Sequence, residues 1–214
     1  SIKRQQINLE SVQGYLADTG VALLSINTFN NHTLHDVARE IAKMQMDNGF
    51  PLSGLIIDLR DNPGGTLQGA IEVSDLFLDT GVIVSTKGRF NEANQHYQAH
   101  DGDILNGAPI AVLINENSAS AAEILAAALR DNERATLIGE TTYGKGSVQS
   151  LIPLGNGNTA LKLTTARYYT PTGQSIEGKG VTPDVSINQT MLSEINQDAI
   201  IKNIQELALF SSLL

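Results

Sequence analysis

The sequence predicts an α/β fold. Two observations carry the prediction. Short apolar runs of strand length recur at residues 21–26, 55–59, 110–114 and 136–139. Segments with apolar residues near helical spacing lie between them, at residues 33–46, 66–78 and 119–129. Strand, helix and strand alternate through the middle of the chain, the pattern of a sheet whose strands are joined by right-handed crossovers.

The elements follow in order. Residues 1–17 read as an opening strand and its connection, with weak periodicity. Val21, Ala22, Leu23, Leu24, Ser25 and Ile26 form a buried strand. Leu34, Val37, Ala38, Ile41, Ala42 and Met44 then mark a helix. Thr33 or Asn31 is available to cap it, and Gly49 ends it. The strand Leu55, Ile56, Ile57, Asp58, Leu59 runs into the turn Arg60, Asp61, Asn62, Pro63, Gly64, Gly65, whose glycines permit positive φ. A helix over 66–78 and a strand over 82–85 follow. Residues 87–107 are polar and read as a surface excursion. A strand at 110–114, an alanine-rich helix at 119–129 and a strand at 136–139 lead to a glycine-containing turn at 141–147. Residues 148–168 read as two strands around Gly155, Asn156, Gly157 and Asn158, a hairpin signal. Residues 198–209 read as a terminal amphipathic helix docked on the body.

Composition bounds the function. The length, 214 residues, suits one sizeable core, divided here as residues 1–17, 18–187 and a helical appendage at 188–214. A net charge of −9 argues against non-specific nucleic-acid binding and against docking on anionic lipid. The chain has no cysteine, so neither a disulfide framework nor a thiolate metal site is available. No apolar run approaches the ~18 residues of a membrane span. The chain opens on Ser1 without a methionine or signal peptide and reads as a mature form or an excised fragment.

Two strand ends carry chemistry. One leads into Pro63, Gly64 and Gly65, the other into Ser118, Ala119, Ser120 and Ala121. Ligands bind at such strand ends in α/β sheets, and N–H groups at a helix start are open to an anion. A serine there can attack a carbonyl if a base takes its proton. Lys145 lies 25 positions after Ser120 on a turn flanked by Gly144 and Gly146, and a lysine serves as base once burial disfavours its charged form. None of the four histidines, His32, His35, His96 and His100, lies near either motif in sequence. His96 and His100 have the spacing of a helical zinc pair, but they sit in a polar, loop-like segment without the glutamate of the protease motif, and they read as surface residues.

The run from Gly54 to Val185 resembles the C-terminal processing peptidases, also called tail-specific proteases. Four pieces carry the resemblance in one order. They are Asp58-Leu59-Arg60-Asp61-Asn62-Pro63-Gly64-Gly65, Ser118-Ala119-Ser120-Ala121-Ala122-Glu123-Ile124, Gly139-Glu140-Thr141-Thr142-Tyr143-Gly144-Lys145-Gly146-Ser147-Val148-Gln149, and Gly180-Val181-Thr182-Pro183-Asp184. The resemblance implies a ClpP/crotonase-like core of stacked mixed sheets with crossover helices. It implies a serine endopeptidase cleaving proteins near their C-termini through an acyl-enzyme, without metal or cofactor. Ser120 would be the nucleophile, Lys145 the general base and Gln149 the residue that orients it. Ala121 with Gly64 and Gly65 would form the oxyanion hole, Gly65 being preferred to Gly64. Protein or peptide substrates are implied as partners, with an adaptor protein and a homo-oligomer also admitted. The implied location is the periplasm or elsewhere outside the bacterial cytoplasm.

Family members usually carry a PDZ domain ahead of the core, and none is found in this sequence. It reads as a catalytic piece or as a natural short form. Other readings stand beside these. Ser118 is the rival nucleophile, and only the family register selects Ser120. Glu123 reads as ordinary charge at a helix start. Arg60 and Asp61 read as a structural pair, and Tyr168 and Tyr169 as packing. A non-catalytic ligand-binding module of the same fold, as in a retinoid-carrying protein of the eye, is the alternative function. An acyl-CoA enzyme of crotonase type is a third, and it has no need of a serine–lysine pair.

Overall fold

A computed structural model describes residues 11–49, 51–155 and 159–187. In chain order its elements are β1 (Val12–Leu16), β2 (Val21–Ile26), α1 (Thr33–Asn48), β3 (Gly54–Asp58), α2 (Leu67–Asp75), β4 (Val82–Gly88), a 3-10 turn (Asn91–Ala93), β5 (Gln95–Gln98), β6 (Ile110–Ile114), α3 (Ala121–Asp131), β7 (Ala135–Gly139), β8 (Ser147–Leu154), β9 (Thr159–Tyr169) and β10 (Val185–Ser186). Residues 1–10 of the expected opening segment, Asn156, Gly157 and Asn158 of the hairpin turn, and the expected helix at 198–209 lie outside the described residues.

The larger sheet runs β1-β2-β3-β6-β7-β10. β1 is antiparallel to β2, and the other five strands are parallel. The register explains why these strands are apolar throughout rather than alternating. Leu24, Ile57, Val112 and Leu137 share the face that packs on α1, α2 and α3, with Val37, Ile41, Val73, Ile124 and Leu125 in the same buried cluster. Leu23, Ile56, Leu113 and Ile138 lie on the opposite face and form a second cluster with Ala17 and Val21. Both faces of a parallel sheet are covered, so neither set of side chains can be polar. Each fully buried aliphatic side chain contributes about 1.5–3 kcal/mol.

The smaller sheet is antiparallel in the order β5-β4-β9-β8. β4 pairs with β9 only over Ala166–Tyr169, so the rest of β9 pairs with β8 alone and the two project as a ribbon.

Several boundaries differ from the sequence reading. β5 falls inside the expected surface excursion, because Gln95, His96, Tyr97 and Gln98 carry no apolar alternation to announce a strand. α2 is shorter than 66–78. Thr66 caps it, accepting from Gly69 N at 3.2 Å, and beyond Asp75 the chain tightens into turns in which Phe77 N donates to Ser74 O and Leu78 N to Asp75 O. At α1, Gly49 ends the helix as expected at φ 69°. Its start is held by Asn30 rather than by a cap at Thr33 or Asn31: His32 N donates to Asn30 Oδ1 at 2.7 Å, and Asn30 N donates to Thr33 Oγ1 at 2.9 Å.

Candidate active site

Three loops meet at the carboxyl ends of the parallel strands: 59–66 after β3, 115–120 after β6 and 140–146 after β7. Asn62, fully buried, joins the first to its neighbours. Its Nδ2 donates to Ile26 O at 2.6 Å, its Oδ1 accepts from Gly64 N at 2.8 Å, and its carbonyl accepts from Ala119 N at 2.9 Å. Asp61 makes the outer tie. Its Oδ1 accepts from Asn115 Nδ2 at 3.0 Å and Asn117 Nδ2 at 2.8 Å, and its own N–H donates to Asn115 Oδ1 at 3.0 Å. The hydrogen bonds from Asn117 and then Asn115 hold the Asp61 carboxyl below the usual carboxylate range, with the nearby Arg60 charge assisting. Arg60 does not pair with Asp61 as the sequence reading has it. It forms a two-pronged pair with Asp58, Nε to Oδ1 at 2.9 Å and Nη2 to Oδ2 at 2.6 Å, and that hydrogen bond raises its pKa further.

The two serines have different surroundings. Ser118 is fully buried, and its hydroxyl donates to Leu59 O at 2.7 Å while accepting from Asn115 N at 3.0 Å. That hydroxyl fastens one loop to another. Ser120 is the residue just ahead of α3, not inside the helix as expected, and holds φ 56° and ψ −111°. A side chain at positive φ is costly, so the surrounding loops must hold Ser120 in this conformation. Gly64 packs directly against it: a Cβ on Gly64 would stand 2.8 Å from Ser120 Cβ and 2.9 Å from Ala121 N. Gly64 N is engaged by Asn62. Gly65 N and Ala121 N donate to no other described residue. Of the two glycines, Gly65 therefore keeps its N–H open to an anion.

Glu123 is what the sequence reading missed. Three residues into α3, it is fully buried, and its carboxyl group accepts four hydrogen bonds. Oε2 takes Ser120 N at 2.7 Å and Lys145 N at 2.8 Å. Oε1 takes Gly144 N at 2.7 Å and Thr142 Oγ1 at 2.5 Å. The one available signal was its place three residues after a serine ahead of a helix, the capping-box spacing. The Gly180-Val181-Thr182-Pro183-Asp184 motif supports the same loop. Val181 N donates to Thr142 Oγ1 at 2.7 Å, Thr142 N donates to Val181 O at 3.1 Å, and Asp184 Oδ2 accepts from Leu137 N at 2.8 Å.

Lys145 is thus held by its backbone beside Ser120, but its side chain is exposed rather than buried among the apolar strands. The flanking glycines explain this. Gly144 and Gly146 pack against the backbone of Gly180 and Glu177, which leaves the lysine the open side. Among the described residues no hydrogen bond joins Lys145 Nζ to Ser120 Oγ. Gln149, exposed at the base of β8, donates from Nε2 to Thr164 Oγ1 at 2.5 Å across the ribbon rather than to Lys145. His96 lies on strand β5, not on a helix, and His100 Nδ1 lies 3.0 Å from Asp75 Oδ2. Among the described residues no group of three or more His, Asp or Glu side chains is placed to hold a metal ion. No helix among them is long and apolar enough to cross a membrane. Tyr168 is buried, and burial raises its phenol pKa. Tyr169 lies under Lys87, whose Nζ is 4.9 Å from the ring centroid.

Comparison with known proteins places this geometry. The family described as peptidase family S41 matches residues 20–187. A carboxy-terminal-processing protease of Bartonella bacilliformis is 46% identical over 193 residues, covering 89% of this chain and 44% of that protein. A carboxyl-terminal-processing protease of Synechocystis is 36% identical over 197 residues, covering 90% of this chain and 45% of that protein. Among solved structures, the photosystem II D1 C-terminal processing protease superposes with a TM-score of 0.74 at 29% identity, over 86% of this chain and 50% of its own. Mature CPAF shares the fold, with a TM-score of 0.60 at 19% identity over 82% of this chain and 49% of its own. The chain spans less than half the length of the two curated relatives.

Proposed function

The chain belongs to peptidase family S41, and from that premise we propose that it carries the catalytic machinery of a serine endopeptidase that cleaves proteins near their C-termini. One observation carries the reading: a single buried oxygen, Glu123 Oε2, accepts from the backbone N–H of both Ser120 and Lys145. A serine and a lysine drawn to one buried acceptor are adjacent by construction, and a purely structural turn has no need of that pairing.

In the proposed reaction neutral Lys145 takes the proton of Ser120 Oγ as Oγ bonds to the peptide carbonyl carbon. The oxyanion is held by the N–H groups of Gly65 and Ala121. Gly64 contributes by lacking a side chain, so that the substrate can approach Ser120. Protonated Lys145 returns its proton to the amide nitrogen as the C–N bond breaks, leaving an acyl-Ser120. Water then attacks with Lys145 again as base. Gln149 turns from Thr164 to orient the lysine. A substrate strand laid over the exposed Lys145 would exclude water from the site. This chemistry asks for no metal or cofactor. The family resemblance further suggests a periplasmic or otherwise extracytoplasmic site of action, with an adaptor or homo-oligomer as regulators.

The test is proteolysis of an unfolded protein by the wild type and three variants. Ser120→Ala and Lys145→Ala each lose turnover, and their double variant is no worse than either. Ser118→Ala keeps turnover per folded molecule but loses about 1–3 kcal/mol of stability, because Asn115 N and Leu59 O lose a buried partner. Acid-quenched mass spectrometry with a peptide ester finds the acyl group on Ser120. An active Ser120→Ala, or an acyl group on Ser118, overturns the assignment.

A further inference from the structure

The Gly64–Gly65 peptide carries one of the two N–H groups that hold the oxyanion in the proposed reaction, and its orientation is set from a loop outside the sequence motifs. Glycine at both positions, at φ 98° and 150°, gives this peptide plane more freedom to turn than residues with a Cβ would allow. One orientation is held. Gly64 O accepts from Phe29 N at 2.9 Å and from Thr28 Oγ1 at 3.0 Å. Phe29 O accepts from Thr66 N at 2.9 Å, so Phe29 brackets Gly65 in a parallel bridge. A Cβ added to Gly65 would collide with Phe29 O, which shows how closely the two chains lie. A trans peptide points its C=O and its N–H in opposite directions, and no peptide bond among the described residues is cis. The two donors on Gly64 O therefore turn Gly65 N–H away from Thr28 and Phe29 and leave it open.

We infer that Thr28 is a positioning residue for the oxyanion donor: its hydroxyl, acting through Gly64 O, fixes the direction of Gly65 N–H. This role rests on the reading of Ser120 as nucleophile and of Gly65 N–H as oxyanion donor. Phe29 N already gives Gly64 O the partner that a backbone carbonyl requires. What the hydroxyl adds is direction. A carbonyl oxygen has two lone pairs, and a peptide held at one of them can rock about that single bond, whereas a second donor stops the rocking. Two donors also polarise the amide, which strengthens its N–H toward a developing negative charge. Thr28 is itself held in place. It is half-buried, and its carbonyl accepts from Thr33 Oγ1 at 3.4 Å. Thr33 Oγ1 accepts in turn from Asn30 N at 2.9 Å at the start of α1. At the other end of this loop Asn62 Nδ2 donates to Ile26 O at 2.6 Å, and the same Asn62 side chain accepts from Gly64 N at 2.8 Å. The peptide that carries the donor is thus braced from the loop after β2 on both of its sides.

The test compares Thr28→Val, which keeps the shape and removes the donor, with Thr28→Ser, which keeps the donor. On a peptide substrate Thr28→Val should lower kcat about tenfold with KM little changed. That is less than the roughly 10²–10³-fold loss of a whole oxyanion donor, because Phe29 N remains. Thr28→Ser should recover most of the rate. A matched pair of peptide inhibitors separates this role from a structural one. With a peptide aldehyde, Ser120 Oγ bonds to the aldehyde carbon, its proton passes to Lys145 and the carbonyl oxygen becomes an oxyanion. The corresponding peptide alcohol binds without forming one. Thr28→Val should weaken the aldehyde about tenfold and leave the alcohol unchanged, whereas a role in folding alone would move both or neither. Thr28→Ala, measured per folded molecule, takes the place of the valine variant if that one fails to fold. An unchanged kcat, a loss confined to KM, equal losses in the serine and valine variants, or equal weakening of both inhibitors overturns the role of Thr28. A wild-type protein that neither turns over the peptide nor prefers the aldehyde to the alcohol overturns the reading of the site, and the role of Thr28 with it.

Discussion

Ser120 and Lys145 donate their backbone N–H groups to the same oxygen, Glu123 Oε2. The two residues sit on loops from different strands, and two ties set their separation: this buried carboxyl group, and the hydrogen bond from Tyr143 N to Ser118 O at 3.0 Å. Glu123 also takes Gly144 N and Thr142 Oγ1, which fixes the lysine loop on both sides of its glycine. Glutamate is suited to this because two carboxyl oxygens can accept four donors, whereas an amide presents one oxygen and two donors of its own.

Glu123→Gln is therefore expected to leave a folded protein with kcat lowered by about tenfold or more, since displacements near 1 Å can cost that much, and with KM little changed. Glu123→Ala leaves buried N–H groups unpaired and is expected to cost about 3 kcal/mol as well. Steady-state kinetics beside thermal unfolding separate the two effects. A Gln variant with wild-type kcat would mean that the four-way tie is irrelevant to turnover.

Gly64 gives a steric prediction. An added Cβ would meet Ala119 O at 2.7 Å, Ser120 Cβ at 2.8 Å and Ala121 N at 2.9 Å, all of them backbone or nearly so. None can swing aside as a flexible side chain would, and φ at Gly64 is 98°. Gly64→Ala should lower kcat by about 10²-fold or more by pushing Ser120 and Ala121 N apart from their present positions, with a stability loss of about 1–3 kcal/mol. Near-normal turnover in a folded Gly64→Ala protein would argue against a reaction centre at this contact.

Much of this was legible in the chain. Four of the five parallel strands announce themselves because each is buried on two faces and reads as an apolar run, as at Leu55, Ile56 and Ile57; α1 does so through one buried face at Val37 and Ile41, and α3 through an apolar run buried on every side. The glycines and serines of the site were legible as motifs. What escaped was held by polar contacts between residues far apart in sequence. The Glu123 tie to Gly144 and Lys145 spans about twenty residues and leaves no local period. The Arg60–Asp58 and Asp61–Asn117 ties could not be told from an Arg60–Asp61 pair by adjacency alone. β5 and β10 are short and polar or two residues long, so they exist only because a partner strand is present.

Asp61 gives a pH prediction. Its folded pKa is depressed by hydrogen bonds from Asn117 and Asn115, so its contribution to stability is complete above the unfolded value of ~3.9 and is lost as pH falls through the folded value. Asp61→Asn should be less stable than wild type at pH 7, by no more than about 1 kcal/mol because the side chain is exposed. The gap should begin to close as the pH drops below ~3.9 and be gone once the pH is below the lower folded value, where the wild-type carboxyl is protonated too. Unfolding curves at pH 7 and pH 3 test the sign. A gap that widens in acid would show that Asp61 titrates in the other direction.

Ser120 itself makes the sharpest stability prediction. It holds φ 56° and ψ −111°, a region costly to any residue with a Cβ, at about 1–3 kcal/mol. Removing the hydroxyl as Ser120→Ala keeps that Cβ and that cost. Ser120→Gly removes both, but glycine gives the unfolded chain extra freedom, which takes back about 0.4–1 kcal/mol. The balance favours glycine. Both variants should be inactive if the hydroxyl is the nucleophile, and the glycine variant should be the more stable by roughly 1 kcal/mol, the difference between those two estimates. The comparison isolates backbone strain from hydroxyl chemistry because the variants differ by one methyl group. An alanine variant as stable as the glycine variant, or more so, would place the strain elsewhere in the loop.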